Sequence, residues 1–461
     1  MTANKHSLGE EKISKLLVTY AIPSIISMLV SSLYNIVDQL FIGQGIGMLG
    51  NAATNVAFPL TTLCTATALL LGVGGASNFN LRMGAGQKED AAKFAGNSVT
   101  LLISAGVLIC IVVQIFLRPL MILFGATPDV LPYALSYTRI TAIGFPFLIL
   151  SSGGSALIRA DGSPRYSMLC MLSGAIVNTI LDPLFIFGFR MGIASAAWAT
   201  VIGQILSGSM VLGYLLHFKT VPLLRQHFMP SLQRAARIAA LGASKFCNQI
   251  AMMVVQIVMN NTMTYYGALS IYGSEIPLAC SGIISKVNMI FFSMVIGIAQ
   301  GFQPIVGFNF GAKKYARVRE AYRLAVTSAA IISIFSFLAF QLFPRQIISL
   351  FGSGSEEYFR FAERYFRIFL FFTFLNCIQP MTADFFSSIG KAYKGILIAL
   401  TRQFLFLLPL IVILPIFFGI DGVMFAGPIA DLAAAILAFI LIQKEMQRIR
   451  ALEITPAFSK T

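Results

Sequence analysis

Two polar stretches, "NLRMGAGQKEDAAKFA" (80–95) and "GFNFGAKKYARVREAY" (307–322), decide how this 461-residue chain is organised. Each follows a long apolar run, turns at Gly-Ala and carries basic residues into the next run. Gly84-Ala85 and Gly311-Ala312 lie 227 residues apart (311 − 84). The same shift pairs "LFGATPD" at Leu123 with "LFGSGSE" at Leu350, and Gly192-Ile193 with Gly419-Ile420. One further residue of shift pairs Tyr137-x-Arg139-Ile140 with Tyr365-x-Arg367-Ile368. Short glycine signatures are common singly, but four in order at a nearly constant offset mark an internal duplication.

The composition says what is duplicated. Hydrophobic residues make up 57% of the chain and charged residues 11%, with a mean hydropathy of +0.81. A water-soluble fold of this length needs a more charged exterior. Apolar runs of about 20 residues, the length that crosses roughly 30 Å of hydrocarbon, recur throughout. They lie near 16–42, 52–79, 94–117, 131–156, 166–189, 193–217, 237–267, 276–304, 321–343, 363–388, 394–418 and 421–444. The expectation is an all-α polytopic membrane protein with about twelve transmembrane helices.

The connections alternate in charge. One set holds Lys12/Lys15, Arg82/Lys88/Lys93, Arg159/Arg165 and Lys219/Arg225/Arg234/Arg237. Lys313/Lys314/Arg317/Arg319, Lys391/Lys394 and Lys444/Arg448/Arg450 continue it. The opposite set contributes Arg190, with Arg118, Arg345 and Arg360 as exceptions. This bias puts both termini and the basic loops in the cytoplasm, with the chain in the inner membrane. The net charge of +15 therefore reads as topology rather than nucleic-acid binding. The N-terminus "MTANKHSLGEEKISK" is too polar and long for a secretory signal, so the first run is a retained span. Cys64, Cys110, Cys170, Cys247, Cys280 and Cys377 all fall in apolar runs and read as packing residues.

Six spans per copy is an even number, so both copies enter with one orientation and are related by an axis along the membrane normal. Two pseudo-symmetric six-helix lobes follow: 1–218, then a cytoplasmic linker over 219–236, then 237–446, with 447–461 a cytoplasmic tail. A cavity between such lobes suits alternating access.

An ionised side chain at the bilayer centre costs about 3 kcal/mol or more, so each needs a reason. In the first half these are Asp38, in "SSLYNIVDQLFIG", and Asp182, in "AIVNTILDPLFIFGF". Asn178 precedes Asp182 by one turn, and Tyr34 precedes Asp38 by one turn, so each pair shares a helix face. Thr200 sits well inside span six, and Pro23 removes a backbone donor where span one can bend. If these faces converge they make an oxygen-rich pocket for a proton or a hard cation such as Na⁺, held by Asp38, Asn178, Asp182 and Thr200. The competing reading is interhelical hydrogen bonding that only glues the helices.

These residues carry a resemblance. "NTILDPLFIFG", the first span's proline followed by Tyr-x3-Asp, and the paired Gly-Ala loops resemble the MATE family, the multidrug and toxin extrusion transporters, in its DinF-like and MepA-like bacterial branch. The resemblance implies a first-lobe coupling site at Asp38, Tyr34, Asn178, Asp182 and Thr200, a bending proline at Pro23 and a pocket tyrosine at Tyr137. It implies cation-coupled efflux of amphipathic, often cationic drugs. The second half departs from the pattern, with Asn260 and Asn261 where some branches place an acid. Asp384, Asp431, Lys286 and Arg402 also lie within apolar runs. Asp384 either faces the cavity or pairs with Lys286 or Arg402. Phe291, Phe292 and Met294 either line an adaptable apolar cavity or pack and face lipid.

"GVGGAS" (72–77) lacks the Lys-Ser/Thr of a phosphate loop and reads as close helix packing. His6, His217 and His227 form no metal set, and no nucleophile stands at a usable spacing from a base, so neither an enzyme nor a cofactor is expected. The coupling ion, H⁺ or Na⁺, is open, and a monomer is expected. Two other readings stand: a lipid-linked oligosaccharide flippase with similar lobes, and a non-transporting membrane scaffold or receptor.

Overall fold

A computed structural model describes residues 7–189, 191–273, 275–350 and 355–454. His6, Arg190, most of "LFGSGSE" and residues 455–461 of the expected tail lie outside the described residues. Twelve helices are long and apolar enough to cross a membrane, and no strand occurs among the described residues. Spans one to six are Ile13–Gly45, Met48–Gly84, Lys88–Ile115, Leu131–Ala160, Pro164–Gly188 and Ile193–Leu215. Spans seven to twelve are Leu232–Ala268, Glu275–Gly311, Tyr315–Leu342, Glu356–Ser388, Ala392–Phe418 and Ile420–Ile454. Span seven starts inside the expected linker, and span twelve runs unbroken past residue 446. Span ten is interrupted by a 3₁₀ turn over Thr373–Leu375.

The duplication is written in the backbone. Left-handed φ values fall at Gly86 (78°) and Lys313 (57°), and at Gly192 (64°) and Gly419 (58°). Both pairs are 227 apart (313 − 86; 419 − 192), the offset of the Gly-Ala loops. Gly162 (84°) and Gly390 (82°) are 228 apart, the offset of the two Tyr-x-Arg-Ile matches. A turn that needs φ > 0 strongly favours glycine, so the motif survives at the turns even where the apolar residues have drifted. Lys313 adopts the same turn without it.

Two hydrophobic cores form, one over Ile42–Ile238 and one that joins Ile13, Leu16, Leu17, Tyr20 and Ala21 to residues 255–449. The first turns of span one are thus buried in the second half's core, while Ile238 of span seven is buried in the first half's. The exchange continues at the surface. Asn309 and Arg317 donate to the Leu8 carbonyl (2.9 and 3.2 Å), and Lys314 to that of Gly9 (2.8 Å). Reciprocally, Asn97 and Thr100 of span three donate to the carbonyls of His227 and Phe228 in the linker (3.0 and 2.8 Å).

The halves meet at the end carrying the basic loops, through glycines. A Cβ at Gly84 would sit 2.0 Å from the Phe308 carbonyl oxygen, and one at Gly311 would sit 2.1 Å from that of Leu81. The Gly-Ala signatures are therefore the mutual crossing of spans two and eight. Gly74 and Gly242 make the same kind of approach between spans two and seven, and Gly297 and Gly301 against Ile25 and Ala21 of span one. Gln303 donates to Ser77 at 3.1 Å, and Ser32 bonds Ser293 at 2.5 Å. Among the described residues, no hydrogen bond, ion pair or ring contact joins the halves beyond Ser32–Ser293.

Candidate functional site

The first half gathers four spans' polar groups into one buried pocket. Pro183 shapes it from the sequence up. Lacking an N–H, it leaves the Thr179 carbonyl without a helical donor, and the chain passes into a π turn over Leu184–Gly188. Asp182 sits on the last regular turn before that irregularity and is fully buried. Asn178, one turn earlier, is satisfied at both ends. Its amide nitrogen donates to Asp182 Oδ2 at 3.1 Å and its oxygen accepts from the Thr200 backbone N–H at 3.2 Å.

Span one brings Asp38 against Asp182, the two carboxyls within hydrogen-bonding reach of each other. Asp38 Oδ1 is buried and has no donor among the described residues. Tyr34 lies beside both acids, and Tyr137 of span four lies beside both acids and reaches the Thr200 side chain. No Lys, Arg or His pairs with either carboxyl among the described residues. Two carboxylates in contact cannot both stay ionised with nothing between them, so the pocket requires a shared proton or a bound cation.

Pro23 is buried, and span one stays a single helix through it. It lies between Ala21 and Ile25, the residues that approach Gly301 and Gly297 most closely. Ser24 and Ser27 donate back to the carbonyls of Tyr20 and Pro23 (2.9 and 2.8 Å). Such bonds loosen a helix locally.

The second half is organised differently. Asp384 is buried, but neither Lys286 nor Arg402 is its partner: Lys245 of span seven approaches Oδ1 at 2.6 Å. The approach is off-line for a hydrogen bond, so both Asp384 oxygens lack a donor. A cavity of about 30 Å³ lined by Ser244, Lys245, Asn248, Gln379, Asp384 and Ala399 adjoins the pair. Asp384 therefore belongs to the interior of the second half rather than to the cleft. Lys245 escaped the sequence reading although it lies within the seventh apolar run; its charge at that depth was the available signal.

Arg402 instead binds Asp431, at 2.6 Å, and Asn376 donates to the other oxygen of Asp431 at 2.9 Å. The guanidinium lies 5.6 Å from the Phe292 ring centroid. A second π turn, Thr401–Leu407, carries Arg402. Phe291 is a core residue, stacked edge-on against Phe292 and Phe340. Met294 is half-buried, and Asn260 and Asn261 are exposed. Gln256 donates to Asn260 at 2.9 Å.

A twelve-span helical fold with two cores and a buried unpaired acid dimer beside one of them is the architecture of a polytopic membrane transporter. The MatE family model matches residues 23–184 and 247–413, and the chain belongs to that family, the MATE transporters. It is similar to the multidrug export protein MepA of Staphylococcus haemolyticus, 24% identical over 95% of both chains. It is similar also to a FAD transporter of Shewanella oneidensis, 25% identical over 97% of this chain and 98% of that one. Among solved structures, an outward-facing multidrug resistance MATE transporter superposes with a TM-score of 0.90, at 25% identity, covering 98% of this chain and all of that one.

Proposed function

We propose that this chain is a cation-coupled antiporter of the inner membrane that exports amphipathic small molecules, cationic drugs among them. The observation that carries the reading is the contact between Asp38 and Asp182 in a buried pocket with no base beside it. Such a pair holds a shared proton or Na⁺ at a net charge of about −1 and becomes one charge more negative when it is released. A cation-occupied pair and an empty pair differ in charge at the bilayer's depth, so the ion stabilises one arrangement of the lobes over the other. That differential affinity is what moves an equilibrium; equal binding to both arrangements would move nothing.

In this scheme the basic loops and both termini face the cytoplasm. The contacts between the halves gather toward that side, at the glycine crossings and Ser32–Ser293, so that side is the closed one in this scheme. Occupation of the acid pair bends span one at Pro23, loosening its grip on Gly297 and Gly301, and the seam opens inward. Cargo loads, the ion leaves, and the lobes close again. Kinship with proteins named for multidrug export supports this cargo class, while the relative named a FAD transporter supports a wider one.

The test is transport of ethidium in everted membrane vesicles, with a proton gradient and a sodium gradient imposed separately. One gradient should drive accumulation in the wild type and neither should do so in Asp38→Asn or Asp182→Asn, with insertion unchanged. Normal transport by both variants would defeat the site assignment.

A further inference from the structure

Lys286 of span eight makes no ion pair and no hydrogen bond among the described residues, although it is half-buried and lies well inside an apolar helix. The other span-borne cations of the second half's interior are held: Lys245 by Asp384 and Arg402 by Asp431. An intramembrane charge left without a partner is costly and marks a pathway or a ligand.

Its direction follows from helical register. The face of span eight that touches the first half is set by Ser293, which bonds Ser32, and by Gly297 and Gly301, which meet Ile25 and Ala21. Lys286 precedes Ser293 by seven residues (293 − 286), two turns along the same face. It therefore points across the cleft, about 10 Å beyond the last bond that joins the lobes. Asp38 lies six residues beyond Ser32 (38 − 32) on the antiparallel span one, about 9 Å along, so Lys286 and the acid pair stand at nearly the same depth, with the acids turned into the first half.

The wall around Lys286 is polar as well. Gly242 of span seven meets the backbone of Leu70 in the first half. Asn260 follows it by eighteen residues (260 − 242), five full turns, and so faces the same way. Gln256, one turn below, donates to Asn260 at 2.9 Å and accepts from Ser285, the neighbour of Lys286, at 3.4 Å. An ammonium beside two carboxamides is an arrangement for an oxyanion rather than for a quaternary cation.

We infer that Lys286, with Gln256 and Asn260, forms an anion-binding subsite of the cleft, so that the cargo includes amphipathic organic anions and zwitterions bearing a carboxylate or phosphate. The cleft then carries a positive group on the second half, at the depth of the titratable pair buried in the first. The anionic group of the cargo sits on Lys286, apart from the acids that the coupling ion vacates as cargo loads. The inference rests on the efflux reading for its transport consequence but not for binding, which permits the two to be tested apart.

The probes are 5-carboxyfluorescein and ethidium, each measured for uptake into everted vesicles and for binding to the purified chain by fluorescence anisotropy. In the wild type both dyes bind and both are moved. Lys286→Gln weakens carboxyfluorescein binding and raises its KM by about tenfold or more, the loss of one charge-assisted bond, and leaves ethidium within about twofold. Lys286→Arg restores carboxyfluorescein, which a merely structural lysine would not require. Failure of the wild type to bind carboxyfluorescein, or an equal loss of both dyes in Lys286→Gln, overturns the subsite. Lys286-dependent binding with no transport of either dye under either gradient overturns the efflux reading and leaves the subsite standing.

Discussion

Replacing Gly84 by alanine adds one methyl group where the structure has no room for it. The new Cβ would lie 2.0 Å from the Phe308 carbonyl oxygen. Non-bonded carbon and oxygen atoms rest at about 3.3 Å, so spans two and eight must part by roughly 1.3 Å at their crossing. Phe308 offers backbone there, not a side chain that can swing away. Overpacking of this kind typically costs about 1–3 kcal/mol. The cost falls on the arrangement with the seam closed, since parted lobes do not make the contact. A shift of that size changes the ratio of closed to parted lobes by about 5- to 150-fold. Cysteines at Ser77 and Gln303, whose side chains are 3.1 Å apart, report the seam through disulfide yield. The yield should fall sharply in Gly84→Ala and in Gly311→Ala. The double variant should fall by less than the two losses combined, because both methyl groups press on one crossing. Gly72→Ala is the control: its Cβ meets Gly153 inside the first half at 2.3 Å, so it should lower thermal stability and leave the yield alone. Unchanged disulfide yield in both seam variants would refute the assignment of the seam as the moving contact.

Two other predictions concern charges that hold the fold together. Arg402→Ala strands Asp431 in the second half and should cost about 3–5 kcal/mol of stability, whereas Arg402→Met with Asp431→Asn should cost far less; thermal unfolding in detergent reads both. Asp161, between spans four and five, accepts from Tyr214 Oη, the Lys219 N–H and both the N–H and the hydroxyl of Thr220. Asp161→Ala should destabilise the chain by about 3 kcal/mol by leaving those donors unpaired. Burial pushes the Asp161 carboxyl above its ordinary value, and the four donors pull it partly back. Its ionisation therefore works against folding. Stability from this group is full below the ordinary carboxylate pKa and declines as pH rises through the raised one, a slope that Asp161→Asn should lack.

Much of this was legible in the sequence, for identifiable reasons. Span count and duplication follow from hydropathy and from glycines at turns and crossings, where that residue type is strongly favoured. Asp38, Tyr34, Asn178 and Asp182 were legible because a carboxylate inside an apolar run demands a reason and a four-residue spacing assigns a face. What one chain's spacing cannot give is the partner across helices. Asp384 was matched to bases in its own half by proximity in charge pattern, and the structure gives it Lys245, a residue on span seven that only tertiary packing brings near. The exchange of lead-in segments between the halves was hidden for the same reason. The lobes divide the sequence cleanly, but Ile13, Leu16, Leu17, Tyr20 and Ala21 form an apolar face that will bury against whichever core is adjacent.

Proton and sodium release on cargo binding tests the acid pair most directly. Purified chain in weakly buffered detergent, titrated with ethidium against a pH dye and a sodium electrode, should release close to one cation of a single kind per bound cargo. Asp38→Asn and Asp182→Asn should each release none while still binding it. Stoichiometric cargo binding with no cation released, or release that persists in both variants, would contradict coupling through this pair.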